Sequence, residues 1–332
     1  MSIAKAGRID AALERLSPLE SDCTLCPRKC HADRKSGATG VCRTGTDARV
    51  SHALLHFGEE PILSGHVDCS RTVPAGRGGA GGSGTIFFGG CNLKCLFCQN
   101  YQLSWLDEGR PADDERLASM MSGLERQGAL NINLVSPTHV ILPILRALRR
   151  IWKAGGLTVP IVHNSNGYDD AYVINLLDGI VDIYLPDLKY VSPDLSAKLS
   201  GARDYFERAS AAIREMSVQQ PVLELDAGGV ARKGLIVRHL CLPGQAEDSI
   251  EVLRWIRANL SPFIGLSLMS QYRPCFQAPE DFRRPVSPEE YRRVADAALE
   301  LGFEHVFLQP EPFGPAEHRV PDFEKKEPFD WR

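Results

Sequence analysis

The sequence predicts an α/β fold, an incomplete (β/α)6 barrel behind a short N-terminal cysteine-rich module. Two observations carry this. From residue 85 onward, six short apolar runs alternate with segments of helical periodicity, the pattern of βα units on a parallel sheet. Ahead of them, Cys23, Cys26, Cys30 and Cys42 crowd into a stretch with no periodicity of its own. A chain of 332 residues has the length of about two domains. The boundaries expected are 1–84 for the module and a glycine-rich loop, 85–275 for the barrel, and 276–332 for a C-terminal helix, a strand and a tail.

Taken in order, residues 6–16 form an amphipathic helix that stops before Pro18. The cysteines follow as C-x2-C-x3-C, with Cys42 after a further eleven residues and Gly37 and Gly40 available to turn the chain back. Four thiolates complete a tetrahedral zinc site or ligate an iron–sulfur cluster; unliganded thiols in a small lobe are the alternative. A lobe of roughly 30 residues buries too little core to stand without a staple, so a metal is expected. Residues 65–84, with Pro74 and Cys69, read as a surface loop. Their glycines lack a Gly-Lys-Ser/Thr ending and precede a strand, which excludes a phosphate loop.

The apolar runs are 85–88, 131–135, 158–163, 180–185, 235–240 and 265–269. After the first, Asp113, Asp114 and Glu115 mark a helix start, where acids favour the dipole, and Leu117, Met120, Met121 and Leu124 continue at helical spacing. Leu253, Ile256 and Leu260 mark another helix. Ser287-Pro288-Glu289-Glu290 is a capping box with proline at the first helical position. Tyr291, Val294, Ala295 and Ala298 give that helix a buried face until Gly302 ends it. Residues 304–309 add a strand, and 310–332 form a charged, proline-rich tail.

The chemistry concentrates in Cys91-Asn-Leu-Lys-Cys95-Leu-Phe-Cys98, which follows the first apolar run and Gly89-Gly90. Thiolates spaced C-x3-C-x2-C can turn inward from one tight loop and hold three irons of a cubane cluster. Gln99, Asn100 and Tyr101 come next, so no adjacent fourth cysteine closes the site and one iron stays open for a small molecule. Three thiols packed as small hydrophobes, or a zinc loop completed by a distant ligand, are the alternatives.

This loop resembles the signature of radical S-adenosylmethionine (radical SAM) enzymes. Its context, Glu59-Glu60-Pro61, Gly82 to Phe88 and Gln99-Asn100-Tyr101, resembles the PflX-like branch, relatives of pyruvate formate-lyase activating enzyme, over residues 20–300. The resemblance implies a [4Fe-4S] cluster on Cys91, Cys95 and Cys98, S-adenosylmethionine bound at its open iron, and an electron donor such as flavodoxin or ferredoxin. The implied activity is reductive cleavage of S-adenosylmethionine to a 5′-deoxyadenosyl radical that abstracts hydrogen from a protein or peptide, as in glycyl-radical activation. A small-metabolite substrate, or a non-catalytic iron–sulfur or zinc protein, are the competing readings. The four N-terminal cysteines also fit the branch, as a second [4Fe-4S] cluster or a zinc site.

Open parallel sheets keep their chemistry at the strand C-termini. After the second run stands Ser136-Pro-Thr-His139, where activating enzymes carry Gly-Gly-Glu-Pro; His139 reads as a ligand, a base or a locally satisfied histidine. Asn164-Ser-Asn166-Gly167 resembles their Asp-Thr-Asn-Gly and is an asparagine–glycine turn in any case. Asp187 and Lys189 match their Asp-Leu-Lys and alternate in an extended segment, so both face the barrel mouth; a salt bridge between them is the alternative. Arg238, inside an apolar run, needs an anionic partner and matches the arginine sent toward the cofactor. Asn164, Asn166, Asp187, Lys189 and Arg238 are thus the cofactor-binding candidates. His239, on the opposite face, reads as structural; Gln271 and Tyr272 read as lining the mouth.

A net charge of −4 offers no attraction for nucleic acid or anionic membrane. No apolar stretch reaches the roughly 20 residues that cross a bilayer, and the first residues lack the apolar core of a secretory signal. A cytoplasmic protein is expected, in which clustered cysteines bind metal rather than pair as disulfides.

Overall fold

A computed structural model describes residues 2–65, 81–309 and 320–329. Most of the glycine-rich loop, with Cys69, and most of the tail lie outside the described residues. The strands are β1 (Ala48–His56), β2 (Ser83–Phe88), β3 (Arg110–Ala112), β4 (Ile132–Val135), β5 (Ile161–Ser165), β6 (Ile183–Pro186), β7 (Glu224–Leu225), β8 (Ala231–Leu240), β9 (Gly265–Met269) and β10 (His305–Leu308). The helices are α1 (Ser2–Leu16), α2 (Pro61–Ser64), α3 (Tyr101–Ser104), α4 (Asp114–Arg126), α5 (Ile141–Lys153), α6 (Ala171–Asn175), α7 (Pro193–Ser200), α8 (Tyr205–Gln219), α9 (Ala246–Asn259) and α10 (Pro288–Glu300).

Strands β2, β4, β5, β6, β8, β9 and β10 stand side by side in chain order, each pair parallel. The six apolar runs supply the first six of these, and residues 304–309 the seventh. Every residue of β2, β6 and β9 is buried, as expected of parallel strands covered on both faces. Because each connection returns the chain to the same end, the loops after β2, β4, β5, β6, β8 and β9 gather along one edge, where the functional residues lie.

Helices cover the sheet through the faces their sequences set. Asp113 caps α4 by accepting the Arg116 N–H, and Leu117, Met121 and Leu124 turn inward. Ser287 and Glu290 close the capping box of α10 reciprocally. Strand β1 was not foreseen. It pairs antiparallel with β2 and carries β3 on its far side, so the segment before residue 84 joins the same sheet. Arg146 of α5 fastens that segment with bonds to Glu20, Asp114 and the Thr46 carbonyl at 2.8, 3.0 and 2.6 Å.

Candidate cluster and cofactor site

Strand β2 delivers the chain into Gly89-Gly90 and then the cysteine loop. Gly90 has φ +85, and a Cβ there would collide with the Cys42 carbonyl oxygen, so only glycine lets the loop start so close to the N-terminal segment. Cys91 and Cys95 are buried and Cys98 is half-buried. Each sulfur meets polar groups. The Leu93 N–H and the Asn166 amide donate to Cys91 Sγ at 3.4 and 3.3 Å. Ser200 Oγ lies 3.0 Å from Cys95 Sγ, and the Ser104 hydroxyl donates to Cys98 Sγ at 3.2 Å.

Among the described residues no three His, Cys, Asp or Glu side chains are already closed on one metal position. The donor chemistry nevertheless fits a cluster. Burial first, then the neighbouring thiols, push Cys91 up to about 11 and Cys98 up to about 12. Such thiols stay protonated at neutral pH unless iron displaces the proton. Burial also raises Cys95, while Lys189, Ser200 and Arg28 pull it back. A thiolate-bound cluster is anionic, and these cations and donors would offset its charge.

The other strand-end loops close on this one. Asn166 also donates to Asn92 Oδ1 at 2.8 Å, which turns the β5 loop onto the cysteine loop. The next residue, Gly167 (φ +81), approaches so closely that a Cβ would strike the Asp187 carbonyl. Tyr205, fully buried, links the β5 and β6 loops: its hydroxyl lies 2.9 Å from the carbonyls of both Asn166 and Asp187 and accepts the Lys189 N–H at 3.1 Å. After β9, Gln271 accepts at its carbonyl from Gln99 at 3.0 Å, and Cys275 reaches the Phe97 carbonyl at 3.2 Å. His139 donates through Nε2 to the Gly89 carbonyl at 2.9 Å, and burial pushes its pKa down to about 4. The structure thus makes it a neutral brace beneath the loop.

Asp187 and Lys189 do share one side, joined in an ion pair. Burial opposes the Lys189 charge, but Asp187, Cys95 and Cys98 outweigh it and hold the ammonium above its usual range. Arg238 also has its anions, though the sequence did not single them out for it. Its Nε and Nη2 fork onto Glu60 at 2.8 and 2.6 Å, and Nη2 also pairs with Glu59. Its Nη1 points toward Asn164 Oδ1 at 3.4 Å. Glu59 in turn accepts from Asn133 at 2.9 Å. The sequence marked this pair as Glu59-Glu60-Pro61, two consecutive acids ahead of a helix-starting proline within the resemblance, but tied it to no partner. His239 is buried and donates to the Leu188 carbonyl at 2.7 Å, as its structural reading required. Tyr272 does not line a mouth: it is buried, with its hydroxyl donating to the Phe282 carbonyl at 2.7 Å.

Of the N-terminal cysteines, Cys23, Cys26 and Cys42 are buried and Cys30 is half-buried, and burial above all pushes the Cys26 thiol up to about 12. Sequence reasoning gave no role to Arg28, although its place between two of these cysteines marked it. Its guanidinium donates to the carbonyls of Asn92, Gly201 and Ser200 at 2.8, 2.6 and 3.3 Å.

Comparison with known proteins adds the family. The model of the radical SAM superfamily matches residues 85–256. An uncharacterized protein of Methanocaldococcus jannaschii is 27% identical over 92% of this chain and 83% of its own length. A lipoyl synthase of Caldanaerobacter subterraneus subsp. tengcongensis is 25% identical over 66% of this chain and 73% of its own. Among solved structures, Streptococcus suis SuiB bound to the precursor peptide SuiA superposes with a TM-score of 0.45 at 14% identity, covering 66% of this chain and 46% of that one. The chain therefore spans about half the length of that structure.

Proposed function

The chain belongs to the radical SAM superfamily and is an enzyme with a [4Fe-4S] cluster and S-adenosylmethionine as cofactors, and we propose that it abstracts hydrogen from a protein or peptide substrate. When bound, the cluster and S-adenosylmethionine supply a 5′-deoxyadenosyl radical. The observation that carries the reading is the loop of Cys91, Cys95 and Cys98, each sulfur met by an N–H or hydroxyl, at the edge where the strand-end loops converge.

In this reading the three cysteines hold the cluster and Asn166 orients Cys91 while fixing Asn92. Lys189, whose ammonium pairs with Asp187, would neutralise the cofactor carboxylate, and Asp187 would accept from its hydroxyl or amino groups. Arg238 keeps one edge on Glu60 and offers Nη1, beside Asn164, to the cofactor. Strand-end loops packed around a bound cofactor would keep water from a reactive intermediate.

We further read the sheet as an incomplete (β/α)6 barrel, with segments 1–84, 85–275 and 276–332 as its working parts. We read the chain as a PflX-like relative of pyruvate formate-lyase activating enzyme; Glu59-Glu60-Pro61 and Gln99-Asn100-Tyr101 support that. Glycyl-radical activation is then the expected role, with a flavodoxin or ferredoxin as electron donor. Clustered free thiols support a cytoplasmic location; no helix among the described residues is long and apolar enough to cross a membrane.

The test is isotopic. Reduced, anaerobic protein is incubated with S-adenosylmethionine and candidate proteins or peptides deuterated at glycine Cα. Deuterium appearing in 5′-deoxyadenosine supports the activase reading. Transfer from deuterated small metabolites alone would replace it.

A further inference from the structure

We infer that Ser200, backed by Tyr190, is a positioning residue that donates a hydrogen bond to the Cys95 thiolate and so sets how readily a cluster held there is reduced. The inference rests on the reading of Cys91, Cys95 and Cys98 as cluster ligands, and adds to it two side chains from the segment after β6.

Ser200 closes α7 and is fully buried. A serine in a helix can turn its hydroxyl back onto a carbonyl of the preceding turn. Ser196 in the same helix and Ser210 in α8 do so, donating to the carbonyls of Pro193 and Glu207 at 3.0 and 3.1 Å. Ser200 Oγ lies instead between Cys95 Sγ and the Tyr190 hydroxyl, 3.0 Å from each. Tyr190 is fully buried too, and burial holds its phenol well above the usual range, so it keeps its proton. A metal-bound thiolate has no proton to give. One direction then satisfies all three groups: Tyr190 donates to Ser200, and Ser200 donates to Cys95.

The backbone fixes the hydroxyl in that place. Carbonyls at a helix C-terminus carry partial negative charge and would disfavour an anionic sulfur. Here they are turned onto donors. The Leu199 carbonyl accepts the Leu96 N–H at 2.9 Å, and the Ser200 carbonyl accepts the Lys94 N–H at 3.4 Å. Arg28 donates to the carbonyls of Ser200 and Gly201 at 3.3 and 2.6 Å. What α7 offers Cys95 is therefore the hydroxyl. The start of the segment is pinned as well, because Asp248 accepts the N–H groups of Val191 and Ser192 at 3.1 and 2.8 Å.

A hydrogen bond donated to a ligating thiolate draws charge from the sulfur and favours the reduced cluster, which carries one more electron. The bond to Cys95 is charge-assisted and buried, and a second hydroxyl polarises the first. Removing either hydroxyl should therefore make the cluster harder to reduce.

The experiment uses the full chain, reconstituted anaerobically. Iron is counted, and the midpoint potential is read by redox titration of the electron paramagnetic resonance signal that responds to added S-adenosylmethionine. Ser200→Ala should keep its iron and show a potential lowered by about 59 mV, a tenfold fall in the reduced-to-oxidised ratio at fixed poise for one electron. Tyr190→Phe should shift the potential the same way by less. Ser196→Ala, whose hydroxyl serves only its own helix, should leave it unmoved. An unshifted potential in iron-replete Ser200→Ala overturns the inference, and so does an equal shift in Ser196→Ala, which would assign the effect to helix packing. Where Ser200→Ala fails to hold iron, Tyr190→Phe decides: a lowered potential supports the relay and an unmoved one overturns it. Cys95→Ala tests the underlying reading separately. Full iron in that variant means that Cys95 is no ligand, whereas lost iron beside an unmoved Ser200→Ala sinks the role of Ser200 alone.

Discussion

Arg238 is held near the C-terminal end of β8 by two carboxylates, Glu59 and Glu60, whose side chains are 7% exposed. Burial opposes the Glu59 charge, but Arg238 and His56 more than reverse it and hold the carboxyl well below its usual range. Removing the cation would strand both acids, so Arg238→Ala should lower unfolding free energy by about 3–5 kcal/mol, read by denaturant titration. Adding Glu59→Gln and Glu60→Gln should restore most of it; no recovery would mean that packing, not charge, is what Arg238 supplies. A second test concerns His239, whose imidazole burial pushes down to about 4. The unfolded chain binds that proton near pH 6.5, so stability is complete above about 6.5 and falls toward pH 4, by about 3 kcal/mol in all. His239→Asn, which can still donate to Leu188, should flatten the slope between those values relative to wild type. Residue identities of this kind were half legible. The need of Arg238 for an anion could be read from an apolar run; which anions it finds could not, because the partners come from a distant segment.

At the scale of elements, glycines report how tightly the loop is seated. Gly90→Ala would place a Cβ against the Cys42 carbonyl at φ +85, costing more than about 1 kcal/mol and lowering the iron bound after reconstitution. Gly7, exposed within α1 with nothing near its missing Cβ, should behave oppositely. Gly7→Ala is expected to stabilise by about 0.5–1 kcal/mol. Equal thermal shifts in the two variants would contradict the close approach. Parallel strands were legible because burial on both faces turns them into continuous apolar runs, as in β2 and β9. Strand β1 has only two fully buried residues, Ala48 and Val50, and gave no such run. Tyr205 and Ser200, which brace the site from α8 and α7, carried no motif at all.

Across the whole molecule, strands that follow one another in chain order bring the ends of distant segments to one edge, and the cysteine loop sits where they meet. The sequence disclosed that loop through spacing alone. It did not disclose that Arg28 reaches across to hold the Asn92 carbonyl, because that contact depends on how the N-terminal segment packs. The central claim is that Cys91, Cys95 and Cys98 hold the cluster that cleaves S-adenosylmethionine. It is tested most directly by measuring 5′-deoxyadenosine from reconstituted, dithionite-reduced protein, wild type beside Cys95→Ala. Wild type should form 5′-deoxyadenosine, and Cys95→Ala should form none while retaining its fold by circular dichroism. Continued formation by the folded Cys95→Ala protein would contradict the account.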